Sequence, residues 1–414
     1  MPQFSFKNDK ENEDVGVTFF DADKDGDADL LVVSGGNQFM PGSPNSYVRL
    51  YLNDGKGIYT RSFKSWPMVA MNGACVVVTD IDNDNDVDIF IGARNVTGAY
   101  GIIPQSKLLM NDGKGNFTDI TKSIAPDLLT LGMVTDAKAA DIDGDGKNEI
   151  VVVGDWMSVT ILKYKDGRLK KDKEIPNSSG WWNCITIADL DGDGDMDLIA
   201  GNTGLNSKIK ADKDHPAFLY TNDFDKNGQS ECIQVYYKSD GKAYPFNLRG
   251  DMVAQMPLLK KKFLTYNSFA GKSIEEIFSK EDLDKSVKLS VEQTQSCIFR
   301  NDGKGQFTME PLPTMAQLAP VFSILCTNLN KDGVPDLFLG GNFYGIKPEV
   351  GRYDASYGVT FVGTPQHTFK YISPAESGLF VKGEVRDIRE VNTIKGKYIM
   401  VARNNDSLQI FLKK

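Results

Sequence analysis

Histidine is nearly missing from this 414-residue chain: the two present, His215 and His367, lie far apart. That leaves little for a zinc centre or for histidine-based acid–base catalysis. Cysteine is scarce as well. Cys75, Cys184, Cys232, Cys297 and Cys326 show no C-x-x-C spacing and sit among apolar, strand-like neighbours. They read as buried free thiols, not as a disulfide framework. No apolar run reaches the length of a membrane-spanning helix. The N-terminal "MPQFSFKNDKENED" lacks the apolar stretch of a signal peptide, so the chain reads as cytoplasmic or as a mature or truncated piece. No G-x-S-x-G nucleophile motif occurs. A net charge of -9 argues against nucleic acid as the main partner. Helical periodicity is almost absent outside one region.

What is abundant is aspartate, in bursts placed directly before apolar strands. "DADKDGDADLLVV" starts at Asp21, "DIDNDNDVDIFIGA" at Asp80, "DIDGDGKNEIVVVG" at Asp141 and "DLDGDGDMDLIAGN" at Asp189. Weaker copies start at Asp223 and Asn328, and Asp387 holds the place without the acidic ladder. Several separations are near 60 residues, a period that signals a repeat architecture. Each unit reads as an entry strand, an acidic loop, a second strand, and a third strand leading into a hairpin such as "RLYLNDGKGIYT" or "KLLMNDGKGNFT". The Asn-Asp-Gly-Lys-Gly turn suits the positive φ of tight hairpins. The expectation is an all-β fold, 1–414 as a single domain: a seven-bladed β-propeller, with six blades as the alternative, of four-stranded antiparallel blades. A helical insertion is expected at about 246–290, where Ser273 and Glu276 fit a capping box. The spare N-terminal stretch "QFSFK" is expected as a strand that completes the last blade and locks the ring.

The loop pattern is D-x-D-x-D-G-x-x-D. Carboxylates at positions one, three, five and nine and a carbonyl at seven supply hard oxygen ligands in the number that suits Ca²⁺. The first loop offers Asp21, Asp23, Asp25 and Asp29 with the Asp27 carbonyl; the second offers Asp80, Asp82, Asp84 and Asp88 with that of Asp86. Asn85 stands there for glycine, and asparagine tolerates the left-handed region. The third has Asp141, Asp143, Asp145, Glu149 and the Lys147 carbonyl; the fourth has Asp189, Asp191, Asp193, Asp197 and that of Asp195. The fifth, Asp223, Asp225, Asn227, Gln229 and Glu231, is weaker. The sixth, Asn328, Asn330, Asp332, Val334 and Asp336, is weakest in charge. Asp, Asn and Gly also favour plain polar turns. Four near-perfect copies at repeat spacing favour calcium, with about four to six ions expected.

The loops, with "DLLVVSGG", "DIFIGA" and "DLFLGGN", resemble FG-GAP/VCBS repeats, the calcium-bearing propeller blades also found in integrin α-subunits. "YPFNLRGDMVAQMPLLKKKF" and "GGNFYGIKPEVGRYDASYG" resemble the C-terminal part of Bacteroidetes VCBS-repeat proteins of the cartilage-acidic-protein-like, ASPIC/UnbV type. The resemblance implies an exported protein at the cell surface or outer membrane. This chain lacks an export signal and a recognisable ASPIC/UnbV module, which suggests a C-terminal segment of a longer protein. Any membrane association would then run through a missing N-terminal part.

One end of the blades gathers Arg94, Asn95, Trp156, Trp181, Trp182 and Tyr344, with Arg352 and Tyr353 on a long loop. Such a set suits a protein or glycan ligand; turn formation and blade packing explain the same residues equally simply. A non-catalytic binding or scaffold module is expected. The alternative is a polysaccharide-active lyase or hydrolase, for which Asp136, Asp155 and Asp354 are the spare acids. A third reading is a structural subunit that docks through the helical insertion. Arg249-Gly250-Asp251 is a chance tripeptide.

Overall fold

The computed structural model describes residues 4–413. The chain is all-β apart from short helices, and its strands make seven antiparallel sheets. Sheet one comprises Asp14–Phe20, Asp29–Ser34, Arg49–Asn53 and Tyr59–Arg61. Sheet two comprises Gly73–Thr79, Asp88–Ala93, Lys107–Asn111 and Phe117–Asp119. Sheet three uses Met133–Ala140, Glu149–Met157, Thr160–Lys165, Arg168–Glu174 and the short Gly180–Trp181. Sheet four uses Cys184–Ala188, Asp197–Gly201, Cys297–Asn301 and Phe307–Pro311. Sheet five uses Val321–Thr327, Asp336–Gly341, Val359–Gly363 and Phe369–Ile372. Sheet six has three strands: Val385–Thr393, Gly396–Arg403 and Gln409–Lys413.

The second strands are buried along their whole length, as in "DLLVVS", "DIFIGA" and "DLFLGG". Apolar runs of this kind are needed where a strand is covered on both faces. Core clusters fill the successive junctions between sheets one to six: Leu31 and Val33 with Ile89 and Ile91, Phe90 with Ile150, Val151 with Leu198, Ile199 with Leu337, and Phe338 with Val401. The first strands of all six line one central cavity of about 470 Å³. Sheets stacked radially about a channel are the layout of a β-propeller.

The seventh sheet is not a blade of this ring. It is built from Ala217–Asn222, Glu231–Tyr237, Ala243–Pro245 and Val287–Val291, and the chain makes it between the second and third strands of sheet four. The expected seven blades are therefore corrected to the six-sheet alternative around the cavity. The Asp223 loop misled the count because the inserted sheet uses the same loop-and-strand unit as the blades. The helices run from Arg249–Gln255 to Lys280–Asp284 and pack their apolar faces on this inserted sheet through Met252, Ile274 and Ile277 against Ile233 and Val235. The capping box of Ser273 and Glu276 is present.

The closing strand is also corrected. Phe4–Asp9 is a 3₁₀ helix, and Gln3 lies outside the described residues. Asp9 pins this helix to sheet one by accepting from Tyr51 Oη and Arg61 Nη1, both at 2.6 Å. The consequence shows at the junction of sheets six and one. Gly16 faces sheet two, close to Ala74 and Cys75, so strand alternation turns Val15, Val17 and Phe19 the other way. They are 43%, 63% and 59% exposed. Their counterparts in sheet two, Val76 and Val78, pack against the preceding sheet. On sheet six, Ile410 and Leu412 stand bare as well. Among the described residues no core cluster joins sheets six and one, so this junction is an apolar seam.

Candidate metal sites and a ligand pocket

Each acidic loop is wound around its own aspartates. In the first, the Asp21 carboxylate accepts the N–H groups of Asp25 (3.2 Å) and Gly26 (3.0 Å). Position six is left-handed, as expected, with Gly26 at φ 92° and Asn85 at φ 69°. Position four is left-handed too, in Lys24, Asn83, Lys226 and Lys331. Outside glycine that conformation costs about 1–2 kcal/mol per residue, and the sequence pattern gave no hint of it.

Position nine anchors the loop. Asp29 is buried and accepts N–H groups from Ala22 and Asn53, each at 2.8 Å. Asp88 does the same with Ile81 (3.1 Å) and Asn111 (3.0 Å). Burial raises both carboxyls, and Asp88 is pushed up to about 7. Hence the asparagine of the Asn-Asp-Gly-Lys-Gly hairpin braces the loop through its backbone. The Asn111 and Asn301 side chains also donate to Ala22 and Ile142 of the preceding sheets' loops, at 3.1 and 2.8 Å. The first hairpin glycine must be glycine for a second reason. A Cβ on Gly55, Gly113 or Gly303 would sit within 2.5 Å of a carboxylate oxygen of Asp27, Asp86 or Asp195. These position-seven residues were expected only through their carbonyls.

Five groups of three carboxylates bring ligand atoms within 4.8 Å of one another. They are Asp21, Asp23, Asp29; Asp80, Asp82, Asp88; Asp141, Asp143, Glu149; Asp189, Asp191, Asp193; and Asp223, Asp225, Glu231. Position three carries the clearest sign of a missing partner: Oδ1 of Asp23, of Asp82 and of Asp143 is buried and accepts no hydrogen bond. Burial, then the neighbouring aspartates, raises the Asp23 and Asp82 carboxyls. A buried, unpaired acceptor is costly unless something satisfies it. A hard cation at this point would do so, and the residues of the first two loops fit one.

Not every expected ligand joins a group. Asp25 and Asp84 at position five instead accept the N–H of Asp27 and Asp86, each at 2.9 Å. In the fourth loop Asp197 stands apart from the group, engaged at 3.0 Å by Arg300. In the third, Lys163 Nζ lies 2.5, 2.9 and 2.8 Å from Asp143, Asp145 and Glu149. In the sixth, Asp332 takes the Asn330 amide at 2.8 Å and Asp336 takes backbone N–H groups, leaving Oδ1 of Asn328 buried and unpaired.

The ligand residues expected at the blade ends divide. Arg94, Trp156, Trp181 and Tyr353 line a cavity of about 690 Å³ between the ring and the inserted sheet. Trp156 is held at φ 59° with its Nε1–H donated to Tyr100 Oη at 3.0 Å, and its ring meets Trp181 edge-on at 5.1 Å. Arg94 pairs with Asp155 at 2.9 Å. The inserted sheet adds Gln234, Tyr236 and Phe246, which sequence reasoning missed because no repeat places that sheet over the ring. Trp182 does not belong to the cavity: it is fully buried against Phe299. Asn95 is spent inside an amide network with Asn37 and Asn72. Tyr344 lies under the Arg352 guanidinium at 3.5 Å, outside the cavity lining. The spare acids do not converge, since Asp136 sits on the central cavity beside Lys138 and Asp354 is exposed near Arg352. In Arg249-Gly250-Asp251 the arginine is tied to the Phe263 carbonyl at 2.9 Å.

The FG-GAP-like repeat family matches residues 21–91 and 141–200, and over those residues the chain carries FG-GAP-like repeats. Among solved structures it is similar to the Dos1 propeller at 8% identity and TM-score 0.38, covering 97% of this chain and 81% of that one. It is similar to the V. cholerae biofilm matrix protein Bap1 at 10% identity and TM-score 0.32, covering 97% and 87%. A Bacillus licheniformis rhamnogalacturonan lyase is similar at 13% identity and TM-score 0.34, covering 96% and 71%. Likenesses this shallow carry no statement about function. Among the described residues no helix is long and apolar enough to cross a membrane.

Proposed function

We propose that the chain is a calcium-stabilised β-propeller that works as a non-catalytic binding module outside the cytoplasm. The calcium part rests above all on one observation: Asp23 and Asp82 each present a buried, unpartnered oxygen to two further carboxylates. Carboxylate-rich oxygen cages suit Ca²⁺ better than Mg²⁺, which takes fewer protein ligands and keeps its water. The ligand seat is the cavity between ring and inserted sheet. Aromatic faces and a guanidinium there suit a glycan, whose rings stack on aromatic side chains while its hydroxyls take polar partners. Absence of turnover is part of the proposal. Of the three carboxylates on the cavity, Asp155 pairs with Arg94 and Asp251 with Lys347 at 2.8 Å, which leaves Glu349, whereas a glycosidase needs two positioned and free. A cell-surface location and the narrower ASPIC/UnbV likeness belong to the same proposal.

A second reading, a protein ligand, is favoured by Val17 and Phe19 on sheet one and Ile410 and Leu412 on sheet six, all exposed. A glycan array probed with the native chain and with Trp181→Ala separates these readings. Binding to one glycan class that Trp181→Ala abolishes, at unchanged Tm, is expected. Binding that ignores Trp181, or cleavage of the bound glycan lost in Asp155→Asn, would sink the proposal.

A further inference from the structure

The third loop does not fit a metal ion in the way the first two do, and the misfit has an identifiable cause. Lys163 lies on the third strand of its sheet, in register opposite position nine: Ile150 pairs with Leu162, which sets Glu149 across from Lys163. The same register point is Leu52 in sheet one and Met110 in sheet two. We propose that Lys163 is a tethered substitute for the metal, so that the third loop is a calcium site already filled by an ammonium group.

Three features of the loop support this. The ammonium touches positions three, five and nine at once, through Asp143 (2.5 Å), Asp145 (2.9 Å) and Glu149 (2.8 Å). It donates hydrogen bonds to Asp143 and Asp145 and forms an ion pair with Glu149 Oε1, while Oδ1 of Asp143 stays buried and unpaired. The anchor is rebuilt to match. In the first two loops position nine is an aspartate that gives one oxygen to the N–H of position two and the other to the hairpin asparagine. Here Glu149 accepts only the Ile142 N–H, at 3.0 Å, and its other oxygen faces Lys163. The hairpin is changed as well: "YKDGRLK" replaces Asn-Asp-Gly-Lys-Gly, and Tyr164 stands where Asn53 and Asn111 brace their loops. Burial alone would lower the Lys163 ammonium's proton affinity; the hydrogen bonds to Asp143, Glu149 and Asp145 outweigh it and hold the group charged. A second cation would be repelled by this one.

The consequence is local. Sheet three supplies Asp155, Trp156 and Trp181 to the ligand cavity. Its loop keeps its shape whatever the calcium concentration, so that wall of the cavity stays in place when calcium is withdrawn.

The inference rests on the reading that the other loops bind calcium, and a stoichiometry measurement keeps the two apart. Bound calcium is counted by elemental analysis after equilibrium dialysis, for the native chain, Lys163→Met and Met110→Lys. Lys163→Met should bind one ion more than the native chain. Met110→Lys should bind one fewer, which tests the same register point should Lys163→Met fail to fold. Equal counts in Lys163→Met and the native chain overturn the inference, as do equal counts in Met110→Lys and a native chain that binds calcium. A native chain with no calcium would overturn the calcium reading, yet one ion gained by Lys163→Met would still uphold the inference.

Discussion

Sheets two and three stand side by side in the ring with the same acidic loop, and they silence its charge differently. In sheet two Asp80, Asp82 and Asp88 converge, Lys24 of the first loop pairs with Asp86 and not with these three, and burial drives Asp88 up to about 7; an oxygen at position three is buried and unpaired in both sheets. In sheet three an ammonium reaches the equivalent loop from the neighbouring strand. The lesson is that the loop motif alone does not define a metal site. The residue opposite position nine, on the neighbouring strand, decides whether the carboxylates wait for an ion or already have one. Sheet four is intermediate, because Arg300 engages Asp197 while Asp189, Asp191 and Asp193 stay grouped.

The comparison breaks most visibly at position three. Asp82→Ala should remove about 3 kcal/mol in calcium at about 100-fold over its Kd, seen as a Tm lower by about 3 °C. In chelator the same substitution should cost almost nothing, since it only removes a like charge. Asp143→Ala, by contrast, should lower Tm by a similar amount in calcium and in chelator. Scanning calorimetry of both variants in both conditions checks this; a calcium-dependent loss at Asp143 would contradict the contrast. Asp191→Ala should fall between them, at about half the Asp82 effect in calcium.

A smaller effect is expected from pH. Asp88 is raised in the folded, ion-free chain from an ordinary 3.8 to about 7. Its stabilising contribution is therefore complete below pH ~4 and is lost as pH rises through 7. Calcium-stripped protein should melt at a lower temperature at pH 8 than at pH 5.5, and Asp88→Asn should flatten that slope. Saturating calcium should also flatten it, because a bound cation holds the carboxylate ionised. A slope unchanged by calcium would count against an ion beside Asp88. The smallest effect belongs to the sixth loop. Asp332 serves mainly to accept the Val334 N–H at 2.8 Å and the Asn330 amide, so Asp332→Ala should shift Tm by only about 1 °C in either condition.

Much of this was legible in the sequence. The strands "GACVVVT" and "DIFIGA" lie where their apolar runs end against turn residues, and the loops fold around position one as the D-x-D-x-D-G pattern implies. Local repeats carry local geometry. What stayed hidden is non-local. Nothing in the repeat announces that the Asp223 unit is spliced between two strands of sheet four, because an inserted sheet obeys the same strand chemistry as a blade. Val17 and Val76 look alike as strand residues; only the missing neighbour leaves Val17 at the seam. Lys163 reads as an ordinary exposed-face lysine until the register places it opposite Glu149. Trp182 and Trp181 are adjacent in sequence, and strand alternation sends one to the core and the other to the cavity.

The central claim is that calcium holds the first and second loops and so stabilises the ring. It is tested most directly by melting the native chain in excess Ca²⁺ and after exhaustive chelation. The account predicts a Tm higher in calcium by about 6 °C for two saturated sites, restored when calcium replaces chelator. Equal midpoints in the two conditions would contradict it.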